Sequence, residues 1–257
     1  MNQTENMRAL LNWYLAAGVD ETTGSEPRNR FQAPSAPPPL SEPVAATAPP
    51  VVASEAAQDT SEMAAASATL AELHAAIAAF DGCALKRTAT NTVVGDGDED
   101  AALMVIGEAP GAEEDRQGLP FVGPAGQLLD RMLAAIGLER QSVYISNILP
   151  WRPPGNRSPT AEEITLCQPF IERQIALVRP GVLMLVGGIS AKLLLNEKQG
   201  ITRLRGNWRE LTPAGLAQPV ATMATFHPAY LLRQPAAKRE VWRDLLAIQK
   251  KLGELAA

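Results

Sequence analysis

The chain has 257 residues, 46% of them apolar and 5% aromatic, the make-up of one or two globular domains. No apolar run reaches the roughly 18 residues of a membrane span, so no membrane association is expected. The net charge of −5 argues, taken whole, against a nucleic-acid partner.

The first predicted element is a short helix, Met7–Ala17, with Leu10, Leu11, Trp13, Tyr14 and Leu15 giving it a broad apolar face. It could dock on the body or on a protein partner, and residues 1–23 form its segment. A single Arg8, with Asn12 interrupting the apolar stretch and acids following it, makes a poor signal peptide, so the expected location is cytoplasmic. The two cysteines, Cys83 and Cys167, agree with a reducing compartment. Residues 24–66 are rich in Pro, Ala, Ser, Thr and Glu and cannot bury enough apolar surface to offset their ordering entropy; a disordered linker is expected there.

The body, 67–257, opens with a helix over Leu70–Phe80, capped by Thr69 and carrying Leu73, Ile77 and Phe80 on one face. Four apolar runs read as strands: Leu103–Ile106, Val143–Ile148, Val182–Val186 and Val220–Thr225. Helical patterns over Gly126–Ile136, Ala161–Val178, Ser190–Asn196 and Lys238–Leu252 separate and follow them. Strands alternating with helices imply right-handed crossovers and an α/β class: three α/β/α layers around a central, largely parallel four-stranded sheet.

Charge divides along the same boundary. Residues 1–100 hold 5 basic and 14 acidic residues, a balance of −9, whereas residues 101–257 hold 18 and 14, a balance of +4. The acidity belongs to the tail, and a mildly basic body is compatible with phosphate contacts.

Every strand ends in a polar or glycine-rich loop, and ligands of open α/β sheets sit beyond those carboxyl ends. After the first come Gly107, Glu108 and Gly111, where backbone N–H groups can approach a ligand, although solvated turn acids would read the same way. Phe121 stands in a glycine- and proline-bounded loop before Pro124, which can open a helix; an exposed ring there reads as a stacking surface. Asn147 lies almost inside its strand, where Asn has poor propensity, so a hydrogen-bonding task or a structural tie between loops is expected. His227, at the last strand's end, is a ligand donor or a structural one.

The segments GEAPGAEEDRQGLPFVGPAGQLLDRML, YISNILPWRPPGNRSPT and FHPAYLLR, in that order and spacing, resemble the motifs of the uracil-DNA glycosylase superfamily, nearest to its family 4 of bacteria and archaea. The likeness runs from about Cys83 to Leu252. It implies a monofunctional DNA glycosylase of base excision repair that flips uracil from DNA and hydrolyses its N-glycosidic bond; for this chain a monomer without a cofactor is expected. Glu108 would position or activate the water. Gly107, Phe121 and Asn147 would bind uracil, the ring by stacking and the amide by pairing with the base edge. His227 would donate to uracil O2. Leu231, Arg233 and Arg157 would contact DNA, Leu231 and Arg233 entering the space left by the flipped nucleotide. No side chain is singled out for excluding thymine.

The chemistry independently wants these types. Bond cleavage leaves an oxocarbenium-like sugar and a uracil anion, so a donor at O2 and a water-orienting carboxylate are needed. A base inside a duplex is unreachable without flipping.

Two departures qualify the resemblance. Family 4 members commonly bind an iron–sulfur cluster through four cysteines; Cys83 and Cys167 match the second and fourth, while Phe80 and Trp151 stand at the other two positions. Two thiolates do not make a four-thiolate site, so no cluster is expected and apolar packing around Trp151 is. With only His74 and His227 in the chain, the histidine through which some relatives trap the abasic product has no counterpart. The alternative reading is a non-catalytic or very slow module that binds uracil-containing or abasic DNA, tethered to a replication or repair partner.

Overall fold

The computed structural model describes Met7 and residues 52–256. Met7 apart, the helix expected over Met7–Ala17 lies outside the described residues, as do residues 24–51 of the expected linker. The sheet has six strands, β1 (Asp96–Gly97), β2 (Leu103–Gly107), β3 (Tyr144–Asn147), β4 (Val182–Val186), β5 (Trp208–Leu211) and β6 (Val220–Thr225), in the order β1-β3-β2-β4-β6-β5. The four expected strands form its parallel centre, β3-β2-β4-β6. The short edges β1 and β5 are antiparallel and were not expected, so the sheet is larger than four strands. β1 is two residues long and β5 carries Arg209 and Glu210 toward solvent, so neither has an apolar run to betray it.

The central strands read as continuous apolar runs because both faces are covered. Met104 and Ile106 of β2 and Leu183 and Leu185 of β4 point into one core, beneath helices α1 (Val52–Ala66), α2 (Leu70–Ala79) and α5 (Ala161–Val178). Leu103, Val105, Val182 and Met184 point into the other, with α4 (Pro124–Ala134) and α9 (Lys238–Ala256). Shorter helices α3 (Ala112–Gln117), α6 (Gly188–Leu194), α7 (Ile201–Leu204) and α8 (Pro228–Arg233) follow strand ends or link elements. No helix among the described residues is long and apolar enough to cross a membrane.

The end of the expected linker is ordered among the described residues. Residues 52–66 are helical: beyond Pro50 the segment is proline-free and alanine-rich, favouring helix, and Thr60 and Ala64 are buried. Arg173 secures the following turn, donating from Nε and Nη2 to the Ser67 carbonyl at 2.9 and 2.6 Å. Composition suggested disorder; the small alanines of this stretch are the residues that allow close helix packing.

Candidate active site

β2 and β3 run in register with Gly107 opposite Asn147, and β4 lies on the other side of β2, so the chain's direction of travel across the sheet reverses between β2 and β4. Ligands gather at such a switch point. There a cleft of about 440 Å³ is lined by Glu108, Phe121, Asn147, His227, Tyr230 and Arg233, among others.

Asn147 is buried, and its Oδ1 has no hydrogen-bond partner, the sole such side-chain atom among the described residues. A buried acceptor left unpaired costs about 1–3 kcal/mol, so this one has the capacity to accept a further hydrogen bond. Gly107 makes room for it: a Cβ there would lie 2.4 Å from Asn147 Oδ1 and 2.6 Å from the Phe121 ring.

Phe121 corrects the expectation of an exposed ring. It is only 5% exposed, packed with the α4 core, yet it still lines the cleft. Its ring centroid lies 5.6 Å from that of His227 with the planes 29° apart. The ring turns inward because its backbone is left-handed, φ 52°, in a region a phenylalanine seldom adopts.

His227 caps α8: its Nδ1 accepts the Ala229 N–H at 3.1 Å, which leaves Nε2 to carry the proton of the neutral ring. Burial first, then the Arg233 cation, lowers its pKa to about 4, with Glu114 opposing. The imidazole is therefore a neutral donor at physiological pH. Glu108, half-buried where β2 ends, has its pKa raised by burial. The site thus assembles an acceptor, an aromatic face, a neutral donor and a carboxylate of elevated basicity.

Glu114, which the sequence did not single out, joins two loops. Its carboxylate accepts the N–H groups of Gly111 at 3.1 Å, Val122 at 3.0 Å and Gly123 at 2.9 Å. Its position three residues after the glycine that opens α3 was the available signal. Arg140 had none: from a 3-10 turn before β3 it reaches the loop some 20 residues earlier.

Two expected DNA contacts are altered. Leu231 is 1% exposed and packs in the α4 core, whereas Leu232 (43%) and Tyr230 (38%) are exposed. Along a helix, neighbours point in directions about 100° apart, so the sequence could not tell Leu231 from Leu232. Arg157 is spoken for by Glu163, with Nη1 2.9 Å from Oε2 and Nη2 2.5 Å from Oε1, although it still lines the cleft. Arg233 is exposed at the cleft.

Behind the site, Phe80 lies 6.4 Å from Trp151 and 5.7 Å from Phe170 between ring centroids. Trp151 is fully buried and donates from Nε1 to Thr92 Oγ1 at 3.1 Å. Cys83 and Cys167 are free and buried, and their mutual hydrogen bond lowers the Cys83 thiol to about 7. Two thiols among packed rings do not fit a four-thiolate cluster, and no group of three or more His, Cys, Asp or Glu residues among the described residues could hold a metal.

This geometry accords with what the chain is similar to. The profile of the Uracil DNA glycosylase superfamily matches residues 94–246, which span the cleft and all six strands. The chain belongs to the uracil-DNA glycosylase superfamily. Among its relatives, the Type-4 uracil-DNA glycosylase of Archaeoglobus fulgidus is 43% identical over 177 residues, 67% of this chain and 86% of that protein. That of Pyrobaculum aerophilum is 40% identical over 182 residues, 68% of this chain and 91% of the relative. That of Thermotoga maritima is 41% identical over 152 residues, 59% and 77%. Within the superfamily the Type-4 glycosylases are thus near relatives, although this chain pairs their likeness with only two cysteines.

Proposed function

We propose that the cleft receives a uracil flipped from DNA, reads it with Asn147 and releases it by hydrolysis. Family membership and the Type-4 relatives make the chain a DNA glycosylase that excises uracil in DNA repair, a hydrolase of N-glycosyl bonds. The observation that carries the residue roles is the buried, unpaired Asn147 Oδ1 beside the Phe121 ring.

Uracil offers a donor at N3 and an acceptor at O4, and one amide complements both: Oδ1 accepts the N3–H and Nδ2 donates to O4. Cytosine reverses both groups and would leave buried atoms unpaired, which costs orders of magnitude in selectivity. The Phe121 ring stacks on the base. As the glycosidic bond lengthens, charge accumulates on uracil O2, and Nε2–H of neutral His227 hydrogen-bonds to it. A neutral donor stays a donor as the anion forms, and a preorganised one of this kind is typically worth about 100-fold in rate or more. Glu108, whose basicity burial raises, orients and deprotonates the water that attacks the sugar. Leu232, exposed beside Arg233, fills the space the base vacates, which recovers part of the unstacking cost.

The free buried thiols support action in a reducing, cytoplasmic compartment. The apolar residues Leu10, Leu11, Trp13, Tyr14 and Leu15 of the sequence would suit a protein partner.

The test is a single-turnover assay on matched oligonucleotides carrying uracil, thymine or cytosine, with alkali cleavage to reveal abasic sites. Release from the uracil strand alone, lost in His227→Ala, is the expected result. No release, with binding to uracil or abasic DNA retained, would leave a binding module in place of an enzyme.

A further inference from the structure

The Phe121 loop is held by a residue that never reaches the cleft. Arg140 is largely buried, its side chain 17% exposed. Its Nη1 donates to the Phe121 carbonyl at 3.0 Å, and its Nη2 donates to the Pro120 carbonyl. These carbonyls belong to a loop, outside any helix or strand that could satisfy them. From Nε, Arg140 reaches Asp96 Oδ2 at 3.0 Å, and from Nη1 it reaches Asp130 Oδ1 of α4 at 3.2 Å.

Asp96 is not an arbitrary anchor. It lies in β1, paired opposite Ile145 of β3, two residues before Asn147. Arg140 thus links the carbonyl of the residue that presents the ring to the strand that presents the base-reading amide. The opposite side of the loop is fixed independently: Glu114 holds the Val122 and Gly123 N–H groups, and a Cβ on Gly126 would lie 1.7 Å from the Phe121 oxygen. A left-handed phenylalanine persists only where its surroundings over-determine it.

We propose that Arg140 is the positioning residue for base stacking, setting the separation between the Phe121 ring and the Asn147 amide so that a pyrimidine is gripped between the two. The inference rests on the reading that Phe121 stacks on uracil, and the test separates the two. Inhibition of excision by free uracil measures base binding without DNA, while affinity for a duplex with a tetrahydrofuran abasic analogue measures DNA binding without a base.

Arg140→Met should weaken uracil inhibition about tenfold, the size of a lost base–aromatic stack, and leave abasic-duplex affinity within about twofold. Arg140→Lys, which keeps the charge and a donor but not the fork, should recover part of the loss. Phe121→Leu should weaken inhibition to a similar degree, and adding Arg140→Met to it should cost less than about another twofold, because Arg140 acts through the ring. Should Arg140→Met fail to fold, Asp96→Asn removes the charge that anchors the guanidinium to β1 and should still weaken inhibition about threefold, a fraction of the same stack.

If Phe121→Leu leaves uracil inhibition unchanged, the stacking reading itself fails. If Phe121→Leu moves it and a folded Arg140→Met or Asp96→Asn does not, or if the two losses multiply, Arg140 is structural only and the inference is overturned.

Discussion

The Nδ1 of His227 accepts the Ala229 N–H at 3.1 Å, so one backbone hydrogen bond fixes which ring nitrogen carries the proton of the neutral ring. Combined with a pKa lowered to about 4 by burial and Arg233, this makes the ring a neutral Nε2–H donor throughout the physiological range. His227→Ala should lower the single-turnover rate by about 100-fold or more while changing affinity for uracil-containing duplex by less than about threefold. Equal losses in rate and affinity would reduce the histidine to a loop support.

The same burial predicts a stability effect. The folded state keeps His227 neutral down to about 4, whereas the unfolded chain protonates near the ordinary value of 6.5, so unfolding takes up a proton as pH falls. The contribution is fully present above about 6.5 and is lost progressively toward 4, on the order of 2–3 kcal/mol. Denaturant unfolding of the wild type and His227→Gln across this window should show a shallower pH slope in the variant. Parallel slopes would mean that the ring is solvated.

Asn147 should trade stability against function. Its Oδ1 makes no hydrogen bond, so Asn147→Ala removes an unpaired buried acceptor and should leave the melting temperature unchanged or higher, while excision falls by about 100-fold or more. Asn147→Asp should narrow the preference for uracil over cytosine, read from rates on the two oligonucleotides. A clear loss of melting temperature in the alanine variant would show that the amide supports the fold.

Gly107 is required by contact and not by dihedral angle. Gly107→Ala places a Cβ 2.4 Å from Asn147 Oδ1 and 2.6 Å from the Phe121 ring, displacing the two groups proposed to grip the base. A shift of about 1 Å costs on the order of 100-fold, so the variant should fold, bind abasic duplex and excise uracil poorly. Near wild-type excision would place the base elsewhere in the cleft.

Leu231 and Leu232 separate folding from DNA handling. Leu231→Ala should destabilise the protein by about 2–5 kcal/mol, measured by denaturation, because that side chain is buried against α4. Leu232→Ala should leave stability nearly intact and slow excision from duplex DNA more than from single-stranded DNA, where no stack needs filling. Equal slowing on both substrates would remove Leu232 from the flipping step.

The sequence by itself determined the three layers, the parallel centre of the sheet and the presence of Glu108, Phe121, Asn147 and His227 at the cleft, because continuous apolar runs report burial on both faces and the loops after them carry the chemistry. The resemblance also marked the region around Trp151 as apolar packing, and the rings of Phe80, Trp151 and Phe170 cluster there. Tertiary structure decided the rest, for reasons of geometry that no local pattern encodes. The inward turn of Phe121 depends on Arg140, some 20 residues away, and on Glu114. The choice between Leu231 and Leu232 depends on how α8 rotates against α4, since adjacent helical residues differ by about 100°. The helix over 52–66 forms because α5 offers its small residues a surface to pack on. The edge strands β1 and β5 are defined by their neighbours' unsatisfied ladders and not by their own residues, which are too few and too polar to announce them.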